Sequence, residues 1–115
     1  MKNLKIAIIG GCGHVGLPLG LAFAYRANAA VSLVDINRKA VDTVNSGKLP
    51  FVEKGGEQIL QAVIGKTLIA THEATPVTKA DVVILVTGTP VDEHLNPRVK
   101  DVLQVIEAYS PHFKE

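Results

Sequence analysis

The sequence predicts an α/β fold in which helices cover both faces of a parallel sheet, and three observations predict it. Short apolar runs alternate with segments of helical periodicity from one end of the chain to the other, the order that right-handed crossovers between parallel strands require. The hydrophobic fraction is 47% while aromatics are only 4%, so the core must be aliphatic, as helices packed on a parallel sheet need. The first apolar run also stops at a glycine cluster that opens directly into a helical pattern.

Taken in order, Leu4 to Ile9 reads as a buried strand and Gly10 to Gly13 as a tight turn. Val15, Leu19, Ala22, Phe23 and Arg26 follow at helical spacing, giving a first helix with a small apolar inner face. Pro18 falls in its first turn, where a missing N–H costs least. Gly16 and Gly20 recur four apart and leave one side of that helix bare, which predicts close approach to the first strand.

Ala30 to Val34 is a second strand ending at Asp35. Asn37 is the expected N-cap of a helix from Arg38 to Asn45, with Gly47 as its stop signal. Lys48 to Gly56 reads as a loop, Glu57 to Ile64 as a short helix closed by Gly65, and Thr67 to Thr71 as a third strand. Thr75 to Lys79 has the length of one helical turn. Asp81 to Thr87 is a fourth strand, apolar on both faces, followed by a loop from Gly88 to Pro97 and a helix from Lys100 to Tyr109.

The pattern is Rossmann-like, with four strands in the expected order 3-2-1-4. At 115 residues the chain is one domain or part of one, and the expected unit is 1–115. A last helix that ought to feed a fifth strand reads as a truncation. It would leave the fourth strand an open edge where two copies pair, so a homodimer is expected.

Composition excludes several classes. A formal net charge of +1 without a run of Lys and Arg argues against a nucleic-acid surface. No apolar segment has the length of a membrane span, and a strand begins within four residues of the start, which leaves no room for a signal peptide. A cytoplasmic protein with no membrane partner is therefore expected. The one cysteine, Cys12, precludes an intramolecular disulfide. It lies inside the turn with no dedicated base and reads as filler. His72, His94 and His112 fall in separate segments without metal-ligand spacing, so no metal site is expected. Asp92 and Glu93 are adjacent on a loop and point apart, and Glu53 and Lys54 read as surface charge, so no catalytic residue is assigned.

The chemistry concentrates at the turn. Gly11, Gly13 and Gly16 form G-x-G-x-x-G between a strand and a helix, which places bare N–H groups at the positive end of the helix dipole. Such a turn suits a pyrophosphate. An acidic residue, Asp35, ends the next strand nineteen positions after Gly16, where a carboxylate accepts from ribose hydroxyls and repels a 2′-phosphate. NAD is therefore favoured over NADP, although Arg38, three residues on, has the charge to accompany a 2′-phosphate. Thr87-Gly-Thr-Pro90 lies at the carboxyl end of the fourth strand, which flanks the switch point where such sheets bind ligands. The candidate cofactor-binding residues are thus Gly11, Gly13, His14, Val15 and Gly16 in the turn, Asp35 and Arg38 after the second strand, and Thr87, Thr89 and Pro90 after the fourth.

Four segments in order, Gly11-Cys-Gly-His-Val-Gly-Leu-Pro18, Val34-Asp-Ile-Asn37, Val44-Asn-Ser-Gly-Lys-Leu-Pro50 and Thr89-Pro-Val-Asp-Glu93, resemble the N-terminal NAD-binding domain of the UDP-glucose/GDP-mannose dehydrogenase family. Within it the likeness is to the nucleotide-sugar 6-dehydrogenases. The resemblance implies NAD-dependent, two-step oxidation of the C6 alcohol of a UDP-sugar to a carboxylate through a thiohemiacetal, in the service of polysaccharide biosynthesis. In that family the catalytic Cys and its assisting Lys and Asn lie in a C-terminal part that this sequence does not contain, so this portion is expected to be inactive alone. The chain departs from the family pattern at His14, where Tyr is common, and at Glu53-Lys-Gly-Gly56, where Glu-Pro-Gly-Leu is common. Two rival readings share the fingerprint: a regulatory NAD(H)-sensing module of a potassium-uptake system, and the cofactor half of a β-hydroxyacid dehydrogenase. The Thr89-Pro90 loop and the extra helix around Ile59 to Ile64 speak against the sensing module.

Overall fold

The computed structural model describes residues 4–51, 54–86 and 106–112. Its elements run β1 (Lys5–Ile9), α1 (Gly16–Arg26), β2 (Ala30–Val34), α2 (Arg38–Asn45), α3 (Gly56–Val63), β3 (Leu68–Thr71), α4 (Thr75–Lys79) and β4 (Val82–Leu85). A 3-10 turn covers Ser110–His112. The four strands form one parallel sheet in the order β3-β2-β1-β4, as expected. Of the predicted last helix, residues 106–109 are described and are helical.

Alternation along each strand splits the core in two. Ile6 and Ile8 of β1, Val31 and Leu33 of β2, and Leu68 and Ala70 of β3 face α1, α2 and α3 in the larger cluster. Ala7, Ile9 and Val34 face the other way, against Val77, Ala80 and Tyr109. Each large aliphatic side chain fully buried in this way contributes about 1.5–3 kcal/mol. The two faces differ because α4 is only five residues long: Ile69 is 45% exposed on the face it leaves open.

Helix α1 turns a different side inward from the one its spacing predicts. Gly16, Leu17, Gly20, Leu21 and Ala24 are buried, while Val15 and Ala22 are exposed and Leu19 and Phe23 half-buried. The glycines explain the shift, because they form the contact face and Leu17, Leu21 and Ala24 flank them. A Cβ on Gly20 would stand 2.6 Å from Leu33 Cδ2 and 3.4 Å from Ile8 Cδ1. The close approach is therefore to β2 first and to β1 second.

Helix α2 begins as predicted, with the Asn37 side chain accepting from the Ala40 N–H at 3.1 Å. It ends at Asn45 with Ser46 as its C-cap, and Gly47 follows at φ +87°, a conformation that favours glycine. At the far edge of the sheet, Asn45 donates through Nδ2 to the Ala70 carbonyl at 2.8 Å and accepts the Ala70 N–H at 3.1 Å. This amide replaces a missing strand on the outer side of β3. The sequence marks Asn45 as a helix end but not its partner, because a helix-terminal Asn carries no sign of what it meets. Among the described residues, no helix is long and apolar enough to cross a membrane.

Candidate functional site

The carboxyl end of β1 runs into Gly10, at φ +82°. The N–H groups of Gly10 and Gly11 both donate to the Val34 carbonyl, at 2.7 and 3.2 Å, which ties the turn to the last residue of β2. Gly11 has no room for a side chain: a Cβ there would stand 2.8 Å from the Ile8 carbonyl oxygen and from Leu33 Cα and Cβ. Gly16 is as tight, with a Cβ 2.5 Å from the Gly10 oxygen and 2.8 Å from Gly11 Cα. These two glycines let strand, turn and helix close on one another.

Gly13 is different. A Cβ there would meet only the Gly10 oxygen, at an ordinary 3.5 Å, and its φ is not in the left-handed region. Neither packing nor backbone strain within the described residues accounts for glycine at this position. A bare backbone here does suit close approach by a ligand, the task of the second glycine in a dinucleotide turn. The N–H groups of His14, Val15 and Gly16 donate to no acceptor among the described residues, while Leu17 begins the helical pattern by donating to Gly13. Val15, the residue before α1, provides no side-chain cap. The head of α1 thus offers open donors at the positive end of an eleven-residue helix.

Asp35 stands beside this turn. Its backbone N–H donates to the Thr71 carbonyl at 3.0 Å, extending β2 against β3 by one residue. Its carboxylate reaches the other way: Oδ2 accepts the Cys12 N–H at 3.1 Å and Oδ1 accepts the Asn37 N–H at 3.0 Å. Each carboxylate oxygen retains a second lone-pair direction for a hydroxyl donor. The tertiary structure thus brings the turn and the acid predicted for the ribose within one hydrogen bond of each other. Arg38 is exposed as the first residue of α2. The expectations for Thr87, Thr89 and Pro90 lie outside the described residues, as do those for Asp92 and Glu93.

Cys12 is buried, and its thiol is pushed up to about 12, first by burial and then by the Asp35 carboxylate. It stays a thiol at neutral pH, so the filler reading agrees with its surroundings. Tyr109 packs on the smaller core near Val34, and burial together with the Asp35 charge raises its phenol as well. Among the described residues no group of three His, Cys, Asp or Glu side chains is placed to hold a metal.

Two residues near the site, Ile36 and Phe51, and one contact of Asp35 are not directly signalled by the sequence. Ile36, directly after Asp35, is 84% exposed at the mouth of the turn, a large apolar surface with no protein covering it among the described residues. Its place behind the predicted ribose acid was the available signal. His14 and Phe51 stack with ring centroids 4.3 Å apart and planes at 25°, a contact that no spacing along the chain reveals. Asp35 also proved to be a structural acceptor for Cys12, which a strand-end position does not disclose.

A parallel sheet ordered 3-2-1-4, with a glycine turn feeding a helix and an acid closing the next strand, defines a dinucleotide-binding α/β domain. The sequence model for the UDP-glucose/GDP-mannose dehydrogenase family, NAD binding domain, matches residues 4–115, and the chain belongs to that family. Among similar proteins, the UDP-N-acetyl-D-mannosamine dehydrogenase of Salmonella typhi is 37% identical over 100% of this chain and 26% of its own length. The NDP-N-acetyl-D-galactosaminuronic acid dehydrogenase of Ralstonia nicotianae is 30% identical over 90% of this chain and 24% of its own. The chain thus spans about a quarter of the length of these relatives. The crystal structure of a ternary complex of GDP-mannose dehydrogenase from Pseudomonas aeruginosa superposes with a TM-score of 0.85 at 28% identity, covering 92% of this chain and 24% of that one. The UDP-N-acetyl-mannosamine dehydrogenase of Staphylococcus aureus gives 0.84 at 26% identity, covering 96% and 26%.

Proposed function

We propose that residues 1–115 are the cofactor-holding portion of a nucleotide-sugar 6-dehydrogenase, which oxidises the C6 alcohol of a UDP-sugar to a carboxylate. Gly11, Gly13, His14, Val15 and Gly16 would hold the pyrophosphate, Asp35 the adenosine ribose, and Thr87, Thr89 and Pro90 the nicotinamide side of the cleft. Ile36 offers an apolar shelf for the adenine. When bound, NAD supplies the hydride acceptor. The residues of this chain orient it, and the groups that act on the sugar lie in a part of the enzyme not represented here. The portion alone is expected to bind NAD without oxidising a sugar. A cytoplasmic homodimer is the proposed setting of the enzyme, whose product would serve polysaccharide synthesis.

The observation that carries this reading is the Asp35 carboxylate drawn onto the Cys12 N–H beside three open donors. That arrangement puts an acceptor for a ribose diol and donors for a pyrophosphate on one short path. The acid also sets the expected preference. A 2′-phosphate placed at Asp35 meets a carboxylate already fixed by two N–H groups, which cannot swing away without breaking both bonds. Arg38 is the counterweight, and the two are separable by titrating the chain with NAD and NADP in turn. NAD should bind at least about tenfold tighter, a difference of ~1.4 kcal/mol. Asp35→Asn should bring the two affinities together. Tighter binding of NADP by the parent chain would overturn the assignment of Asp35.

A further inference from the structure

Phe51 belongs to no motif, yet its ring lies on the His14 imidazole with centroids 4.3 Å apart and planes 25° apart. The two residues stand far apart in the chain, with β2 and α2 between them. His14 sits in the turn between Gly13 and Gly16, and Phe51 lies beyond the chain reversal that Gly47 makes at φ +87°. Their surroundings differ in a useful way. Phe51 is half-buried and packs on the larger core, whereas His14 is exposed. The anchored ring therefore orders the exposed one.

Stacking covers one face of the imidazole and leaves its edge free, and both ring nitrogens lie in that edge. No described residue is a hydrogen-bond partner of the His14 ring. In either neutral tautomer the ring keeps one N–H. It stands on the same turn as the unpaired N–H groups of His14, Val15 and Gly16.

We infer that Phe51 is a positioning residue for phosphate recognition: by clamping one face of His14 it holds the imidazole N–H beside the open backbone donors of the turn, where it donates to a dinucleotide phosphate. The inference rests on the dinucleotide reading given above and adds to it a residue and a role. The physical basis is preorganisation. A free histidine must lose rotamer freedom when it meets a ligand, and a histidine already held by a stack has lost it beforehand.

The test is calorimetric titration of the intact chain with NAD, ADP-ribose and adenosine, the last lacking phosphate, with thermal melts run alongside. Phe51→Leu keeps the apolar contact with the core and removes the stack. It should weaken NAD and ADP-ribose about fivefold, the loss expected for one hydrogen bond to an ionised group that is no longer preorganised. Adenosine should be unaffected, and Phe51→Tyr should bind as the parent does. His14→Phe preserves the stack but removes the donor, and should weaken NAD and ADP-ribose at least as much. Adding Phe51→Leu to His14→Phe should cost nothing further, because the donor it positioned is already gone.

The His14 ring protons should resonate upfield in the parent and move downfield in Phe51→Leu, which reports the stack independently of binding. Unchanged NAD affinity in Phe51→Leu would overturn the inference. So would an equal loss of adenosine affinity, since that marks general loosening, or parent-like NAD binding by His14→Phe. If the parent chain binds neither NAD nor ADP-ribose, it is the dinucleotide reading itself that fails.

Discussion

Gly13 and Gly16 occupy the same motif for opposite physical reasons. Gly16 is demanded by the protein, because a Cβ would stand 2.5 Å from a backbone oxygen that cannot give way. Gly13 is not, since its neighbours leave ordinary contact distance. Gly16→Ala should therefore lower the melting temperature sharply, with a loss above about 2 kcal/mol as for other overpacked sites. Gly13→Ala should keep the fold within about 1 kcal/mol of the parent, because an allowed Gly→Ala change even reduces unfolded-state entropy. The same substitution should weaken NAD at least about tenfold, about 1.4 kcal/mol, because the methyl occupies the space a phosphate needs. Thermal melts and an NAD titration on both variants separate the two roles.

Cys12 yields a prediction about pH. Its folded thiol lies at about 12, well above the unfolded value near 8.5. At neutral pH both states are protonated, so the thiol adds no pH dependence. As pH rises past the unfolded value, the unfolded chain releases a proton that the folded chain keeps, and stability falls. Urea unfolding at about pH 8 and about pH 10, either side of the free-thiol range, should show this loss. Cys12→Ala should remove part of it, with the raised Tyr109 phenol accounting for a further alkaline contribution. In the folded state the thiol should also resist alkylation at neutral pH.

At the scale of elements, legibility followed the strength of the local signal. β2 and α2 lie where the sequence puts them, because an apolar strand, an Asn N-cap and a terminal Gly each act through nearest neighbours. The inner face of α1 was missed for the complementary reason. Periodicity counts side chains, and the inner surface is formed by Gly20 against Leu33 and by Gly16 against the Gly10–Gly11 turn, neither of which has a side chain to count. The Asn45 fork was equally unreadable, since its partner at Ala70 is twenty-five residues away. Asn45→Ala should cost about 1–3 kcal/mol, because it strands both an N–H and a carbonyl of a part-buried strand. The uncovered edge of β3 should also raise the tendency to self-associate, checked by urea denaturation and by light scattering at increasing concentration.

At the scale of the whole molecule, the sequence by itself determined the class of the fold and the chemistry that its first turn invites. Alternating aliphatic strands and helices admit few parallel arrangements, and short right-handed crossovers prune them to a handful that includes the observed order. A glycine turn between a strand and a helix is likewise a local statement about backbone donors. Only the tertiary structure decided which groups share the site. Parallel pairing of β1 with β2, Ile9 beside Val34, brings Asp35 across to the Cys12 N–H. Folding of the chain after Gly47 brings Phe51 onto His14. Neither contact is encoded in a spacing. Each arises because strand register and core packing set distances between segments far apart in the chain, and those distances decide whether a carboxylate or a ring can reach its partner.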